Sequence, residues 1–211
     1  MGNLLVIGGT GYAGSHIAAE AAARGFDVTV VSRSGAATPI EGVRYVEGAA
    51  QELAGKLVGK ADVAVLALSP RGDTAGQILE VYSEAARSAA AAGTRLVVIG
   101  GFSSLRPAPD APRVIDDGVD PRFAAEAREM DSVREWLQTS APDGLDWLFV
   151  SPAALFGAYA PGESTGQYRV SGEVALLDDE GKSEISGTDL ALAVVDEIER
   201  PEHSGHIGLA H

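Results

Sequence analysis

The chain has 211 residues and no cysteine, which excludes thiol nucleophiles, iron–sulfur clusters and disulfide-stapled folds. Thirty acidic residues against sixteen basic ones give a formal net charge of −14, a balance that repels nucleic acid and anionic lipid. No apolar stretch approaches the roughly 20 residues of a membrane span, and Met1–Leu4 enters an apolar run without a basic leader. We therefore expect a cytoplasmic monomer or homodimer with neither nucleic acid nor membrane as a partner.

Short β-branched runs alternate with alanine-rich segments along the chain. The runs predict strands at Asn3–Gly8, Asp27–Ser32, Val43–Glu47, Asp62–Leu68, Arg95–Gly100 and Asp146–Ser151. The segments between them predict helices at Tyr12–Arg24, Thr74–Ala92 and Phe123–Gln138, with Gly25 and Gly93 as caps. Strand–helix alternation with apolar strands predicts an α/β class, namely a single-domain Rossmann fold over residues 1–211 with a mostly parallel, doubly wound sheet.

Two stretches interrupt this alternation, a proline-rich one at 102–122 and a glycine-rich one at 156–169. Both follow the C-terminal ends of strands, where open α/β sheets bind ligands, so we expect substrate-side loops near 102–122 and 156–185. The second forms a small C-terminal substrate-side extension, in which Glu173–Leu177 and Lys182–Ile185 predict a hairpin. Ser186 is expected to cap a helix that runs to Glu199, and Gly205–Ala210 to form a last strand.

The segment from Gly8 to Gly14 places glycines at 8, 11 and 14, between the first strand and the first helix. Gly8 permits a sharp exit from the strand, Gly11 allows close approach of a diphosphate, and Gly14 lets the helix pack against the sheet. The free N–H groups of the helix start attract phosphate. With a second strand closing the unit at Asp27–Ser32, the pattern predicts a dinucleotide site, and the missing Gly-Lys-Ser/Thr excludes a Walker-type loop.

The end of the second strand indicates which dinucleotide binds. NAD-binding proteins place an acidic residue there, whereas this chain has Arg33, flanked by Ser32 and Ser34. A guanidinium suits a ribose 2′-phosphate, so we predict NADP(H), with NAD(H) as a possible cofactor. Acidic and basic residues balance within residues 1–60, which also favours this region for binding an anion.

These residues resemble the atypical short-chain dehydrogenase/reductase group of NAD(P)H-binding proteins that contains NADH-flavin reductase-like members, relatives of biliverdin reductase B and of NmrA-like proteins. The resemblance covers nearly the whole chain and rests on the glycine motif and on these segments: Val98–Leu105, Leu145–Trp147, Ser151–Phe156, Pro161–Arg169 and Gly181–Ser186. It implies a Rossmann fold that binds NADP(H) and passes hydride to a second ligand. It also implies that Ser104 lies at the reacting end, with Ser151 and Pro152 lining the nicotinamide.

The expected cofactor-binding residues follow from the motif and the resemblance together: Gly8, Thr10, Gly11, Tyr12, Gly14, Arg33, Ser34, Leu68, Ser151 and Pro152. No tyrosine is followed four residues later by lysine, so the Tyr-x-x-x-Lys acid–base dyad of ordinary short-chain dehydrogenases is absent from the sequence. A flavin already accepts hydride and takes its proton from solvent, which favours FMN or FAD as a substrate rather than a prosthetic group. Ser104 is the candidate catalytic residue.

Other readings stay open at this stage. An NmrA-like redox sensor would bind NADP(H) without catalysis, and a degenerate epimerase or dehydratase would act on another substrate. Related proteins often hold the adenine amino group with an acidic residue after the third strand, where this chain has Ala49, which leaves Gln51 or Glu47 as substitutes. The spacing of His203, His206 and His211 does not favour a metal site.

Overall fold

The computed structural model describes residues 2–211, in which eight strands form one sheet. The strands are β1 (Asn3–Ile7), β2 (Asp27–Ser32), β3 (Arg44–Glu47), β4 (Val63–Leu66), β5 (Arg95–Ile99), β6 (Trp147–Pro152), β7 (Arg169–Ser171) and β8 (Gly205–Ala210). The helices are α1 (Tyr12–Ala23), α2 (Ala50–Leu57), α3 (Ile78–Ala92), α4 (Ala124–Ser140) and α5 (Gly187–Glu199). The strand order is β3-β2-β1-β4-β5-β6-β8-β7, and all pairs are parallel except β7 with β8.

The sheet is covered on both faces, as its apolar strands require. One core cluster joins strand residues such as Val6 and Val97 to α1 and α5, and the other joins Ile7 and Val98 to α2, α3 and α4. Alternate residues of a strand point to opposite faces, so each strand contributes to both clusters. This is the predicted α/β, doubly wound Rossmann fold, and its sequence-predicted helices and parallel strands are confirmed to within a few residues.

The chain reverses its direction of winding between β1 and β4, which lie side by side although β2 and β3 separate them in sequence. Open α/β sheets bind ligands outside the carboxyl ends of the strands at such a reversal. The loops after β1 and β4 therefore mark where a site is expected.

Helix α2 and strand β7 were not predicted from the sequence. One prediction about local structure was wrong: the hairpin of Glu173–Leu177 with Lys182–Ile185 does not form. The turn at Asp178 exists, with its N–H bonded to the Lys182 carbonyl at 2.8 Å. However, the segments on either side bond to the substrate-side loops instead: Ala175 N–H donates to the Arg106 carbonyl at 2.8 Å, and Leu155 N–H to the Ser183 carbonyl at 2.9 Å.

We expect Gly14→Ala to lower the free energy of unfolding by about 2 to 4 kcal/mol, because an added Cβ overpacks a rigid contact. At position 14 that Cβ would lie 2.4 Å from the Gly8 carbonyl oxygen and 2.8 Å from the Gly9 Cα. Gly172→Ala is the matched control, since a Cβ there meets nothing within 4 Å. Denaturant unfolding of both variants measures the difference, and equal stabilities would contradict the expectation.

Candidate functional site

The first feature of the site is the turn from β1 into α1. Gly8 adopts a φ of +83°, and a Cβ there would lie 2.5 Å from the Ala67 carbonyl oxygen. Both observations restrict the position to glycine. The backbone of the loop after β4 can therefore lie directly against the turn.

The start of α1 presents backbone donors to the end of the sheet. Gly11 occupies the cap position, no side chain caps the helix, and the first helical bond runs from Ser15 N–H to the Gly11 carbonyl. The N–H groups of the first helical turn, those of Tyr12, Ala13 and Gly14, thus have no intrahelical partner. Gly11 is exposed and has no Cβ to block access. This cradle suits a phosphate group in charge and in shape.

Two cavities meet at this turn and share Gly11, Ala67, Leu68, Ser69 and Arg71 along their common border. The small cavity, of about 340 Å³, lies over the ends of β1, β2 and β3. The large cavity, of about 620 Å³, extends over the ends of β5 and β6 towards α4. Together they form one groove that passes the start of α1, which is the arrangement a dinucleotide and a second ligand require.

The small cavity contains several of the predicted residues. Gly8, Thr10 and Gly11 line it at the helix start, Leu68 lies on its border, and Arg33 stands at its rim. The Arg33 guanidinium is exposed and pairs with the Asp73 carboxylate at 2.5 Å. Ser34 is exposed and does not line the cavity; its carbonyl accepts a hydrogen bond from the Ser32 hydroxyl at 2.7 Å.

The large cavity is lined mainly by aromatic and small side chains. Phe102, Phe123, Phe156 and Tyr159 contribute aromatic rings, and Met130 a thioether. Phe123 is 50% exposed and Tyr159 is 77% exposed, so both rings are accessible to an incoming ligand. The predicted residues Tyr12 and Pro152 also line this cavity.

One carboxylate faces the large cavity from α4. Glu126 accepts two hydrogen bonds of 2.8 Å from the Nε of Arg71, which lies on the border of both cavities. Ala127 and Met130 of α4, and Phe123 just before the helix, also line the cavity. This face of the helix offers apolar contact and one carboxylate that is paired with a guanidinium.

The structure does not bring Ser104 or Ser151 to the groove. Ser104 is fully buried, and Ser103 is the serine that lines the large cavity. The reason is the 3₁₀ turn Phe102–Ser104, which directs successive side chains to different sides. Ser151 is fully buried as well, and its hydroxyl lies 2.9 Å from His206 Nε2.

His206 belongs to a polar cluster beneath the substrate-side loops. Burial lowers its pKa to about 4, against the opposing attraction of the Glu173 carboxylate. Arg113, itself buried, joins the cluster by donating to Glu173 at 2.6 Å and to the Ser104 carbonyl at 2.6 Å. These groups hold the substrate-side loops in place on their buried side, and none of them lines either cavity.

Tyr12 connects the helix start to the glycine-rich substrate-side loop. Its hydroxyl donates to the Pro161 carbonyl at 3.0 Å and accepts from Gly187 N–H at 3.1 Å. Its ring packs edge-on against Phe156. The residue that follows Gly11 therefore contacts the loop that carries Tyr159.

Asp189 anchors the same loop. The carboxylate is fully buried at the start of α5 and accepts hydrogen bonds from Thr165 N–H at 2.8 Å, Gly166 N–H at 3.0 Å and the Ser186 hydroxyl at 2.8 Å. The His211 ring lies 2.8 Å from it. Burial by itself raises the pKa of Asp189, but these hydrogen bonds outweigh it and lower the pKa to about 2.

Several residues of the groove were not among those predicted from the sequence. Arg71, Phe123 and Tyr159 lie in loops or at a helix start, where hydrophobic periodicity carries no information. The aromatic residues within the two substrate-side loops were the available signal. Gly14, in contrast, was expected among the cofactor-binding residues. It is buried beneath the turn, where the helix packs directly against the backbone of Gly8.

No three His, Asp or Glu side chains gather into a metal site within residues 2–211. His203 pairs with Glu197, His206 with Ser151 and His211 with Asp189. For the portion of the chain that is described, no helix combines the length and apolar character needed to cross a membrane.

A sequence model of the NAD(P)H-binding family matches residues 8–201, and the chain therefore belongs to that family. The match begins at the first glycine of the motif. The family agrees with the resemblance seen in the sequence and with the uncapped backbone donors that border the groove.

Relatives and solved structures agree with this family. The uncharacterised protein YwnB of Bacillus subtilis is 32% identical over 209 residues, covering 94% of this chain and 92% of YwnB. SP1627 of Streptococcus pneumoniae, which is proposed to be an NADH-flavin reductase, has a TM-score of 0.84 at 29% identity, with both chains fully covered. A proposed epimerase from Bacteroides thetaiotaomicron has a TM-score of 0.86 at 28% identity, covering 99% of this chain and 96% of its own.

Because of Asp189, the free energy of unfolding should vary with pH in the acid range. The folded pKa of Asp189 lies below its ordinary value of 3.8, so its contribution of about 2 kcal/mol is complete above pH 4 and lost as the pH falls towards 2. Asp189→Asn removes that titration. The difference in unfolding free energy between wild type and variant should therefore shrink from pH 5 to pH 2.5.

Urea unfolding at several pH values measures this difference, with the exposed Asp143→Asn as the matched control. A gap between wild type and Asp189→Asn that stays constant with pH would contradict the assignment.

Proposed function

We propose that the protein is an NADPH-dependent reductase that transfers hydride to a flavin or a similar planar acceptor. The continuous groove is the observation that carries this proposal, because its two cavities are joined at the start of α1. In this assignment the small cavity holds the adenosine half of the cofactor and the large cavity holds the nicotinamide and the acceptor. When bound, the cofactor supplies the hydride.

The glycine turn would hold the diphosphate of the cofactor. The backbone donors at the start of α1 are uncapped, and Gly11 leaves them accessible. Arg33 would hold the 2′-phosphate from the rim of the same cavity. Its partner Asp73 is also exposed, and exposed ion pairs contribute only about 0 to 1 kcal/mol, so a phosphate can replace the carboxylate at small cost.

The aromatic lining supports a planar acceptor. Phe123 and Tyr159 present exposed rings at the large cavity, where they would stack on a flat ligand and keep water from its face. The Glu126 carboxylate is oriented by the Arg71 guanidinium, and the proposed reaction does not use it as a base. Positioning and exclusion of water are therefore the contributions that this chain makes to the reaction, and the acceptor's proton comes from solvent.

An epimerase-type reaction is the second candidate, because a structure with a TM-score of 0.86 carries that proposed activity. Proton transfer at a sugar carbon needs an acid–base group at the reacting atoms. Phe123, just before α4, and Glu126, Ala127 and Met130 of α4 line the large cavity, and the one acid among them is paired with Arg71. The reductase proposal fits this lining better.

The cofactor assignment is tested at Arg33. We expect Arg33→Ala to raise the Kd for NADPH by about tenfold or more and to leave the Kd for NADH unchanged, because only NADPH carries the 2′-phosphate. Arg44→Ala is the charge-matched control, as Arg44 is exposed on β3 and pairs with Asp27. Calorimetry measures the six dissociation constants of the three proteins for the two dinucleotides, and an unchanged NADPH affinity in Arg33→Ala would refute the assignment.

The acceptor assignment is tested by steady-state oxidation of NADPH with FMN, riboflavin and quinones. We expect acceptor-dependent turnover, and we expect Tyr159→Ala to raise the KM for the acceptor several-fold without changing the Kd for NADPH. Leu177→Ala, which removes another exposed apolar side chain outside the groove, is the control. Cofactor binding without turnover on any acceptor would favour a sensor that binds NADP(H) without catalysis.

A further inference from the structure

Charged side chains are unevenly distributed along the groove. Among residues 2–211, the cations Arg33 and Arg71 line the small cavity, and no acidic side chain does. Within that same part of the chain, the charged lining of the large cavity consists of Arg71 and Glu126, which pair with each other. The end that is proposed to hold phosphates is thus lined by cations, whereas the acceptor end has a lining without net charge.

The pair of Glu126 with Arg71 places the acid on the wall of the large cavity. Both carboxylate oxygens of Glu126 lie 2.8 Å from the Nε of Arg71. The Arg71 side chain is 65% exposed and the Glu126 side chain 32%, so the carboxylate is the more enclosed partner. At the distance of a bound acceptor, the two opposite charges largely cancel, and the guanidinium offers little net attraction to an anion.

The two substrate-side loops add negative charge around the large cavity. Each loop contributes an aromatic ring to the wall, Phe102 from 102–122 and Tyr159 from 156–185. Together these two segments carry ten acidic and five basic residues. The diphosphate of the cofactor would place further negative charge at Gly11, on the border of the same cavity. An acceptor that carries an anionic group is therefore repelled on approach, and an uncharged acceptor is not.

We propose that the large cavity selects an uncharged planar acceptor over one that bears a phosphate, and that Glu126 determines this preference by cancelling the charge of Arg71. This inference rests on the proposed function and adds the charge of the substrate to it. Riboflavin and FMN distinguish the two classes, because they share the isoalloxazine ring and differ in the phosphate alone. The aromatic wall contacts the ring of both, so the difference between them reports on charge.

A structural role for Glu126 must be separated from this one, because the same side chain joins α4 to the loop after β4. Glu126→Gln separates the two roles. The carboxamide oxygen still accepts a hydrogen bond from the Nε of Arg71, whereas the negative charge is removed and the guanidinium is left uncompensated. Glu135→Gln is the matched control, since Glu135 is exposed on the same helix and lines neither cavity.

The first experiment compares kcat/KM for riboflavin and FMN at saturating NADPH. We expect wild type and Glu135→Gln to prefer riboflavin by about tenfold at low ionic strength, and expect added salt to reduce that preference because it screens the repulsion. Glu126→Gln should lower the preference by about fivefold at low ionic strength, through a lower KM for FMN. A loss of structure alone would weaken the use of both flavins and leave their ratio unchanged.

The second experiment measures binding without turnover. Quenching of flavin fluorescence gives the Kd of riboflavin and of FMN for each protein, alone and with NADP+ present. We expect the ratio of the two Kd values to change among the variants as the kinetic ratio does. Thermal unfolding confirms that each variant retains its fold.

Two results would overturn the inference while leaving the proposed function intact. One is equal use of riboflavin and FMN by wild type at low ionic strength. The other is a preference for riboflavin that Glu126→Gln leaves unchanged, which would assign the selection to the loops and not to Glu126. If flavins bind but no acceptor is reduced, the proposed function fails, and the ratio of the Kd values alone decides the inference. Binding of neither flavin would overturn both.

Discussion

The contact between α1 and the end of β1 determines the geometry of the whole groove. Gly14 rests on the Gly8 and Gly9 backbone at a distance that no side chain permits. This contact brings the start of α1 close to the carboxyl end of β1, so the uncapped N–H groups face the groove. Both cavities share this turn as a border, and their relative position follows from it.

Charge along the groove is balanced locally, although the chain as a whole carries a net charge of −14. Arg33 pairs with Asp73, and Arg71 pairs with Glu126, and all four residues belong to segments that border the cavities. Exposed ion pairs of this kind contribute little free energy. They hold the guanidinium groups in position, and the carboxylate partner can still be exchanged for another anion. A phosphate that enters the groove thus meets cations already in place, which is how an acidic protein can present an anion site.

The wall of the large cavity depends on contacts between segments that are far apart in sequence. Asp189, at the start of α5, organises the glycine-rich loop, and Tyr12 joins that loop to the helix start. The hydrogen-bonded ion pair of Arg113 with Glu173 connects the proline-rich loop to the segment after β7. None of these links is local: the bonded residues are 24 to 149 positions apart in the chain.

The sequence by itself determined the layered fold, the glycine turn and the position of Arg33, because apolar strand runs, glycines and helix caps act over a few residues. It did not reveal the eight-residue α2, which has glycine before it and inside it, at Gly48 and Gly55. Only the tertiary structure decided that Ser103 rather than Ser104 faces the groove. It also decided that the two segments flanking the turn at Asp178 bond to distant loops instead of to each other. Those outcomes depend on hydrogen bonds across long sequence separations, which no local pattern specifies.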